Sequence, residues 1–170
     1  MTGFGISEPT QQQKSLVDEA LYLRGRIVAA YAQVEFLLAD ISVKLDLRFP
    51  YLVDARIKAV KRIAERDGYQ VYKDELDRVC EKLLRYDEIR HFMTHGFLSL
   101  TVDRKSNHQF EFLRYQRNDE GKFTLLSGKT TIERLRQAAE DIGQYVSHVV
   151  KLFERIYCEK KLEPRPEGLA

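Results

Sequence analysis

Long apolar runs are missing from this chain. Nothing in it approaches the roughly eighteen uncharged apolar residues that a bilayer-spanning helix needs. The opening residues, Met1 to Pro9, lack a basic stretch followed by an apolar core, so no secretory signal is read there. Cysteine is scarce: only Cys80 and Cys158, each inside a segment of helical pattern and neither with a Cys-x-x-Cys partner. That excludes zinc-knuckle and dithiol redox chemistry and leaves two buried thiols in a reducing compartment as the expectation. An excess of either charge is nearly absent too. Against 28 Lys and Arg stand 26 Asp and Glu, a net +2, far from the basic excess of a protein that coats nucleic acid, so any such contact must be local. There is no internal repeat and no low-complexity segment. Together these absences predict a cytoplasmic protein with no membrane partner.

The 170 residues, 44% apolar and 32% charged, suit one globular domain with a real core. Residues 1–11 read as a flexible leader, 12–160 as a single domain and 161–170 as a disordered tail. Leu16, Leu23, Ile27, Val34, Leu38, Ile41 and Leu45 keep helical spacing and predict a first helix from Gln12 to about Leu47, ended by Phe49-Pro50. A second helix is expected over Leu52–Arg66, stopping at Asp67-Gly68. The third, over Val71–Thr94, carries the stripe Tyr72, Leu76, Val79, Leu83, Tyr86, Ile89 and Met93, with Gly96 as terminator. The period then changes. Leu98, Leu100 and Val102 alternate with Ser99, Thr101 and Asp103, a strand pattern. A turn at Lys105–His108, a strand over Gln109–Gln116, a turn at Asn118–Gly121 and a strand over Phe123–Leu126 complete a small antiparallel meander, residues 97–127. Thr130 and Glu133 suggest a capping box for a last helix that runs to about Lys160. The predicted fold class is mostly α, a bundle of about four helices with this β-meander inserted before the last one.

The end of the third helix concentrates polar chemistry. Arg90 lies one heptad after Leu83 and two after Leu76, on the apolar stripe, where an unpaired charge costs several kcal/mol, so it needs a carboxylate, a carbonyl or a partner chain. Asp87, His91 and His95 recur one turn apart on a neighbouring face, with Glu88 and Thr94 beside them. Three uses are open. In a metal site His91 and His95 would have the spacing of two ligands on one helix face. Phe92, however, stands where the His-Glu-x-x-His motif needs its glutamate, and Glu88-x-x-His91 has no second copy, since Tyr145 occupies that place before His148. Even with Glu35 the ligand set is incomplete, and neither a metal nor any other cofactor is expected. The second use is metal-free acid–base chemistry on RNA. The third is structural: Arg90 pairs with Glu35 or another carboxylate, and the histidines cap the helix C-terminus. On spacing alone the structural use is favoured, because an Arg-x4-His pattern is short.

The run Arg90-His91-Phe92-Met93-Thr94-His95-Gly96 resembles the motif of HEPN domains, in which arginine is followed by Asn, Asp or His and then by a histidine four to six positions after the arginine, near a helix end. Gly96 matches the glycine of the frequent form Arg-Asn-x-x-x-His-Gly. Tyr31 to Leu38, centred on Glu35, is similar to the first-helix segment of bacterial members. The resemblance covers about residues 12–98 and 130–160. One position departs from it: Phe97 stands where members paired with nucleotidyltransferase antitoxins carry a modifiable tyrosine.

The resemblance implies a HEPN-like helical bundle and a metal-independent endoribonuclease, acting on single-stranded RNA in a composite site of a homodimer. A toxin or defence role, with a protein antitoxin or inhibitor as a further partner, follows from it. His95 is then the general base or acid, Arg90 the phosphate ligand, and His91 an orienting or second proton-carrying group. Glu35, Asp87 and Thr94 are supporting or substrate-binding residues. On an ideal helix Arg90 and His95 are roughly 140° apart, flanking a groove that a second chain would complete. Some members keep the fold only as a dimerisation or ligand-binding module, which is the alternative. In the meander, Phe110, Phe112, Tyr115 and Phe123 interleave with Arg104, Lys105, Arg114, Arg117 and Lys122. Such a pattern suits single-stranded nucleic acid, but gluing the strands to the helices is the simpler use. Arg56, Lys58, Lys61, Arg62 and Arg66 read as a solvated helix face.

Overall fold

Helical spacing becomes helix and alternation becomes strand throughout the computed structural model, which describes residues 8–47, 52–102 and 107–162. The expected stop at Phe49-Pro50, part of the Lys105–His108 turn, and most of the leader and tail lie outside the described residues. The elements are α1 (Gln11–Lys44), α2 (Val53–Ile63), a 3-10 turn (Gln70–Tyr72), α3 (Lys73–His95), β1 (Phe97–Val102), β2 (His108–Arg117), β3 (Phe123–Thr130) and α4 (Ile132–Lys160). The described chain is therefore mostly helical, with four α-helices and a three-stranded antiparallel sheet, in the order β1-β2-β3, before the last helix. None of its helices is long and apolar enough to cross a membrane.

The helix ends carry chemistry that apolar periodicity does not report. Thr10 and Gln13 form a reciprocal capping box at the start of α1: the Thr10 N–H donates to Gln13 Oε1 at 2.8 Å and the Gln13 N–H to Thr10 Oγ1 at 3.2 Å. The other end of α1 closes on Asp46, at φ 52°, with the Leu47 N–H on the Ser42 carbonyl at 2.8 Å and the Asp46 N–H on that of Val43 at 3.0 Å. This is a Schellman motif, so the helix ends at Lys44 rather than Leu47. Lys161, also at φ 52°, ends α4 in the same way. α2 stops at Ile63 instead of Arg66, because the N–H groups of Glu65 and Arg66 bond three residues back and tighten the chain toward Gly68. The cap of α4 is Thr131, whose Oγ1 accepts from the Arg134 N–H at 3.4 Å; Thr130, expected in that role, is the last residue of β3.

The described chain divides into two compact units, one drawn from residues 1–27 and 91–140 and the other from 28–90 and 141–170. In the first, the sheet register pairs Leu98 with Phe112 and Leu100 with Phe110, and pairs Phe112 with Gly128. Strand alternation puts these on one face, where Phe110 and Phe112 are fully buried. Ala20, Leu23, Ile27, Met93, Ile132, Leu135 and Ala139 are buried helical residues of the same unit. In the second, Tyr31, Leu38, Ile63, Leu76, Leu83 and Phe153 are among the largest buried side chains. The Tyr145 hydroxyl, buried here, donates to the Val79 carbonyl at 2.8 Å, and Ser42 Oγ donates to Leu38 O at 2.7 Å, so neither polar group is left unmatched.

Two expected core positions are corrected. Cys158 is exposed while Cys80 is buried, because Cys158 sits two residues past Ile156 and so on the far side of α4. Ile89 is 37% exposed, since burial on α3 follows the seven-residue rows through Leu76, Leu83 and Arg90 and through Val79, Tyr86 and Met93, and Ile89 lies off both.

Burial pushes the Cys80 thiol up from 9.0 to about 12. Burial, then the hydrogen bond to the Glu159 carboxylate, pushes the Tyr72 hydroxyl from 10.0 to about 12. Tyr31 and Tyr145 are raised further, again mainly by burial. A raised folded-state value means that the unfolded chain loses these protons first. The stability they contribute is complete below about pH 9 and is lost as the pH rises through about 12. Urea unfolding followed from pH 8 to pH 12 is expected to show that alkaline fall, and Tyr72→Phe to make it shallower.

Candidate functional site

Tyr31 and Glu35 occupy successive turns of α1, while Asp87 and Arg90 occupy successive turns of α3; all four belong to the helical unit. One carboxylate oxygen organises them. Asp87 Oδ1 accepts from Arg90 Nε at 3.0 Å, from Arg90 Nη2 at 2.8 Å and from the Tyr31 hydroxyl at 3.0 Å. The guanidinium also stands over the Tyr31 ring, 5.1 Å from its centroid, a cation–π contact. Burial by itself would draw the Arg90 guanidinium down, but the hydrogen bonds and charge of Asp87, with the charge of Glu35 behind them, raise it instead. Burial, followed by the charge and hydrogen bond of Asp87, holds the Tyr31 hydroxyl protonated well above the usual phenol range. The guanidinium is thus fixed in plane and stays charged.

The apolar stripe correctly marks Arg90 as half-buried, at 20% side-chain exposure, and its need for a partner is met inside the chain. That partner is Asp87, so Arg90 alone gives no reason to require a second protomer. Asp87 is thus the other carboxylate that the expectation allowed beside Glu35, and Glu35 accepts from Arg56 Nη1 at 2.6 Å. Arg56 in turn is 16% exposed rather than part of a solvated face.

The next residues of α3 belong to the sheet-bearing unit. His91 is half-buried and His95 exposed, with ring centroids 6.0 Å apart and planes tilted by 32°. The four-residue step that brings them together is the helical repeat itself. Thr94 beside them is exposed. At the helix C-terminus Arg24 of α1 takes two carbonyls: its Nε donates to that of Met93 and its Nη2 to that of Thr94 at 3.3 Å.

Gly96 follows at once. A Cβ there would overlap the Phe92 carbonyl oxygen and lie 3.5 Å from Phe112 Cβ, so the step from helix to sheet has room only for hydrogen. Phe92, inside the motif, is a packing residue: Gly128 passes beside its ring, and the Arg114 guanidinium lies 4.8 Å from its centroid.

No group of three or more His, Cys, Asp or Glu side chains arranged for a metal ion occurs among the described residues. The donor set also argues against one, because Asp87 already accepts from Arg90 and Tyr31. Sequence reasoning missed Tyr31, Arg24 and Arg56. Tyr31 had a local signal, one turn before Glu35 on the same helix. Arg24 had none, since 69 residues separate it from Met93.

No protein-family model, curated protein or solved structure matches this chain. The HEPN resemblance therefore stands on the residues named above.

Replacing Asp87 with asparagine removes the charge opposite Arg90 and weakens three hydrogen bonds at once. Urea denaturation of Asp87→Asn is expected to show a loss of about 1–3 kcal/mol. Tyr31→Phe, which deletes only one neutral donor, is expected to lose about 1 kcal/mol.

Proposed function

We propose that this chain is a metal-independent endoribonuclease of HEPN type, cleaving single-stranded RNA in a composite site of a homodimer. The observation that carries the reading is the histidine pair: an exposed His95 with a second imidazole, His91, at 6.0 Å, directly after an arginine held in its charged form. One imidazole removes the proton of a ribose 2′-OH. The freed oxygen forms a bond to the adjacent phosphorus, the bond from phosphorus to the 5′-oxygen breaks, and an imidazolium returns a proton to that leaving oxygen. The products are a 2′,3′-cyclic phosphate and a 5′-hydroxyl, with no water consumed. In this scheme His95 carries the proton, His91 orients it or serves as the second proton site, and Arg90, oriented by Asp87, neutralises the phosphorane. Thr94 and Glu35 keep supporting roles. The biological setting that goes with this chemistry is a toxin or defence protein restrained by a protein antitoxin or inhibitor.

One observation favours a second reading. Arg90 is engaged by Asp87 and by the Tyr31 ring, as a purely structural arginine would be. On that reading the chain is a non-catalytic dimerisation or ligand-binding module.

The test is cleavage of a panel of single-stranded RNAs by purified protein in EDTA, with the ends identified by mass spectrometry. The nuclease reading expects cyclic-phosphate ends and uncut DNA, which lacks the 2′-OH. His95→Ala is expected to lower the rate about 10²–10⁴-fold without unfolding the chain, because the side chain is exposed. Arg90→Ala is expected to abolish cutting and also lower stability, and His91→Ala to cost less than His95→Ala. A dimer in light scattering at micromolar concentration belongs to both readings, and a monomer counts against the composite nuclease site and against a dimerisation module. Inactivity toward the whole panel, or activity that survives His95→Ala, overturns the nuclease.

A further inference from the structure

The outer face of the sheet is built unlike an ordinary solvated sheet face. Alternation that buries Phe110 and Phe112 turns Phe97, Leu113, Tyr115, Phe123 and Leu125 the other way. Three of these are aromatic and almost bare: Phe97 is 68% exposed, Tyr115 70% and Phe123 70%. Large aromatic surface left in water on three adjacent strands serves no packing purpose within the unit.

Their order is regular. Phe97 pairs with Leu113 and Phe123 with Arg117, while Tyr115 lies between those two positions on β2. The rings therefore descend one strand and two residues at each step, a diagonal with neighbours roughly 8 Å apart by ordinary sheet spacing. That interval suits bases splayed from an extended strand, one per ring. Leu113 and Leu125 fill the surface between the rings. The diagonal starts at Phe97, two residues after His95 and within the same unit.

Charge fits the same occupant. Residues 97–130 hold six Lys and Arg against four Asp and Glu, an excess of two that equals the net charge of the entire chain. Arg117 lies on the aromatic face across from Phe123, and Lys129, 61% exposed, lies on it in a long ion pair of 4.0 Å with Glu111.

The geometry points to a binding platform for single-stranded RNA, on which Phe97, Tyr115 and Phe123 each stack a base while Arg117 and Lys129 meet phosphates. Where RNA is also cut, this platform leads the strand to His95; that clause rests on the nuclease reading, whereas the binding does not.

The experiment measures fluorescence anisotropy of a short unstructured RNA, labelled at one end, with the His95→Ala chain so that cleavage does not interfere. Circular dichroism checks each variant's fold. Phe97→Ala, Tyr115→Ala and Phe123→Ala are each expected to weaken binding at least about fivefold, and Tyr115→Phe and Phe123→Tyr to retain it. Arg117→Ala with Lys129→Ala is expected to flatten the salt dependence. The same sequence as a duplex, its bases already stacked, is expected to bind more weakly. Equal affinity for duplex, absence of binding to single strands, or unchanged affinity in the triple alanine variant each overturns the platform. So does a triple variant that turns a dimer into a monomer with RNA affinity intact, which marks the face as a contact between copies. Cleavage assayed in parallel separates the two ideas. RNA affinity lost with the rings in a chain that never cuts keeps the platform and removes the nuclease, and unchanged affinity in a chain that does cut does the reverse.

Discussion

The absence of a side chain at Gly96 sets what the end of α3 can be. The chain must leave a helix and enter a strand with no intervening loop, and it does so by passing so close to the Phe92 carbonyl that a Cβ would collide with it. Two contacts then hold the step. Arg24 takes the helix carbonyls that the strand cannot satisfy, and the Phe92 ring is gripped between Gly128 and Arg114. Phe92 is only half-buried, so the sheet covers one side of its ring. His95, one residue before the step, stays exposed.

The helical unit handles Arg90 differently. A charge brought beside the Tyr31 ring is held by a single carboxylate oxygen with three donors, and Glu35 adds its field from the next turn of α1. Such an arrangement both stabilises the fold and keeps a cation charged and oriented at the edge of water. Those two roles are hard to tell apart in a static structure, because the same hydrogen bonds serve both. They separate under mutation, where stability and rate are read independently.

The helices and strands were legible in the sequence because burial repeats with their periods. Leu76, Leu83, Val79 and Met93 marked α3, and the alternation around Leu100 marked β1. The ends were less legible. Asp46 and Lys161 close their helices in a left-handed conformation usually left to glycine, so neither announces itself. Thr131 rather than Thr130 caps α4, a shift of one residue that propensity cannot resolve. The polar cluster was legible as a list, since Asp87, Arg90, His91 and His95 follow from helical spacing, but its pairings were not. Glu35 going to Arg56, and Arg24 reaching Met93, are decided by packing between distant segments. The meander aromatics divided by strand parity, which depends on a register that interleaved cations do not reveal.

The sheet and the helices also differ in when they can form. Each strand pairs with its immediate successor, so the meander closes only short loops and can assemble as soon as its residues leave the ribosome. The helical contacts do not share that advantage. Glu19 meets Arg136, and Asp40 meets Tyr157, each across 117 residues of chain. During synthesis Glu19 and Asp40 of α1 therefore wait until α4 has emerged, while the contacts of Tyr31 with Asp87 and of Arg24 with Met93 can form once α3 is made. The interval before those last contacts close is set by the rate of translation.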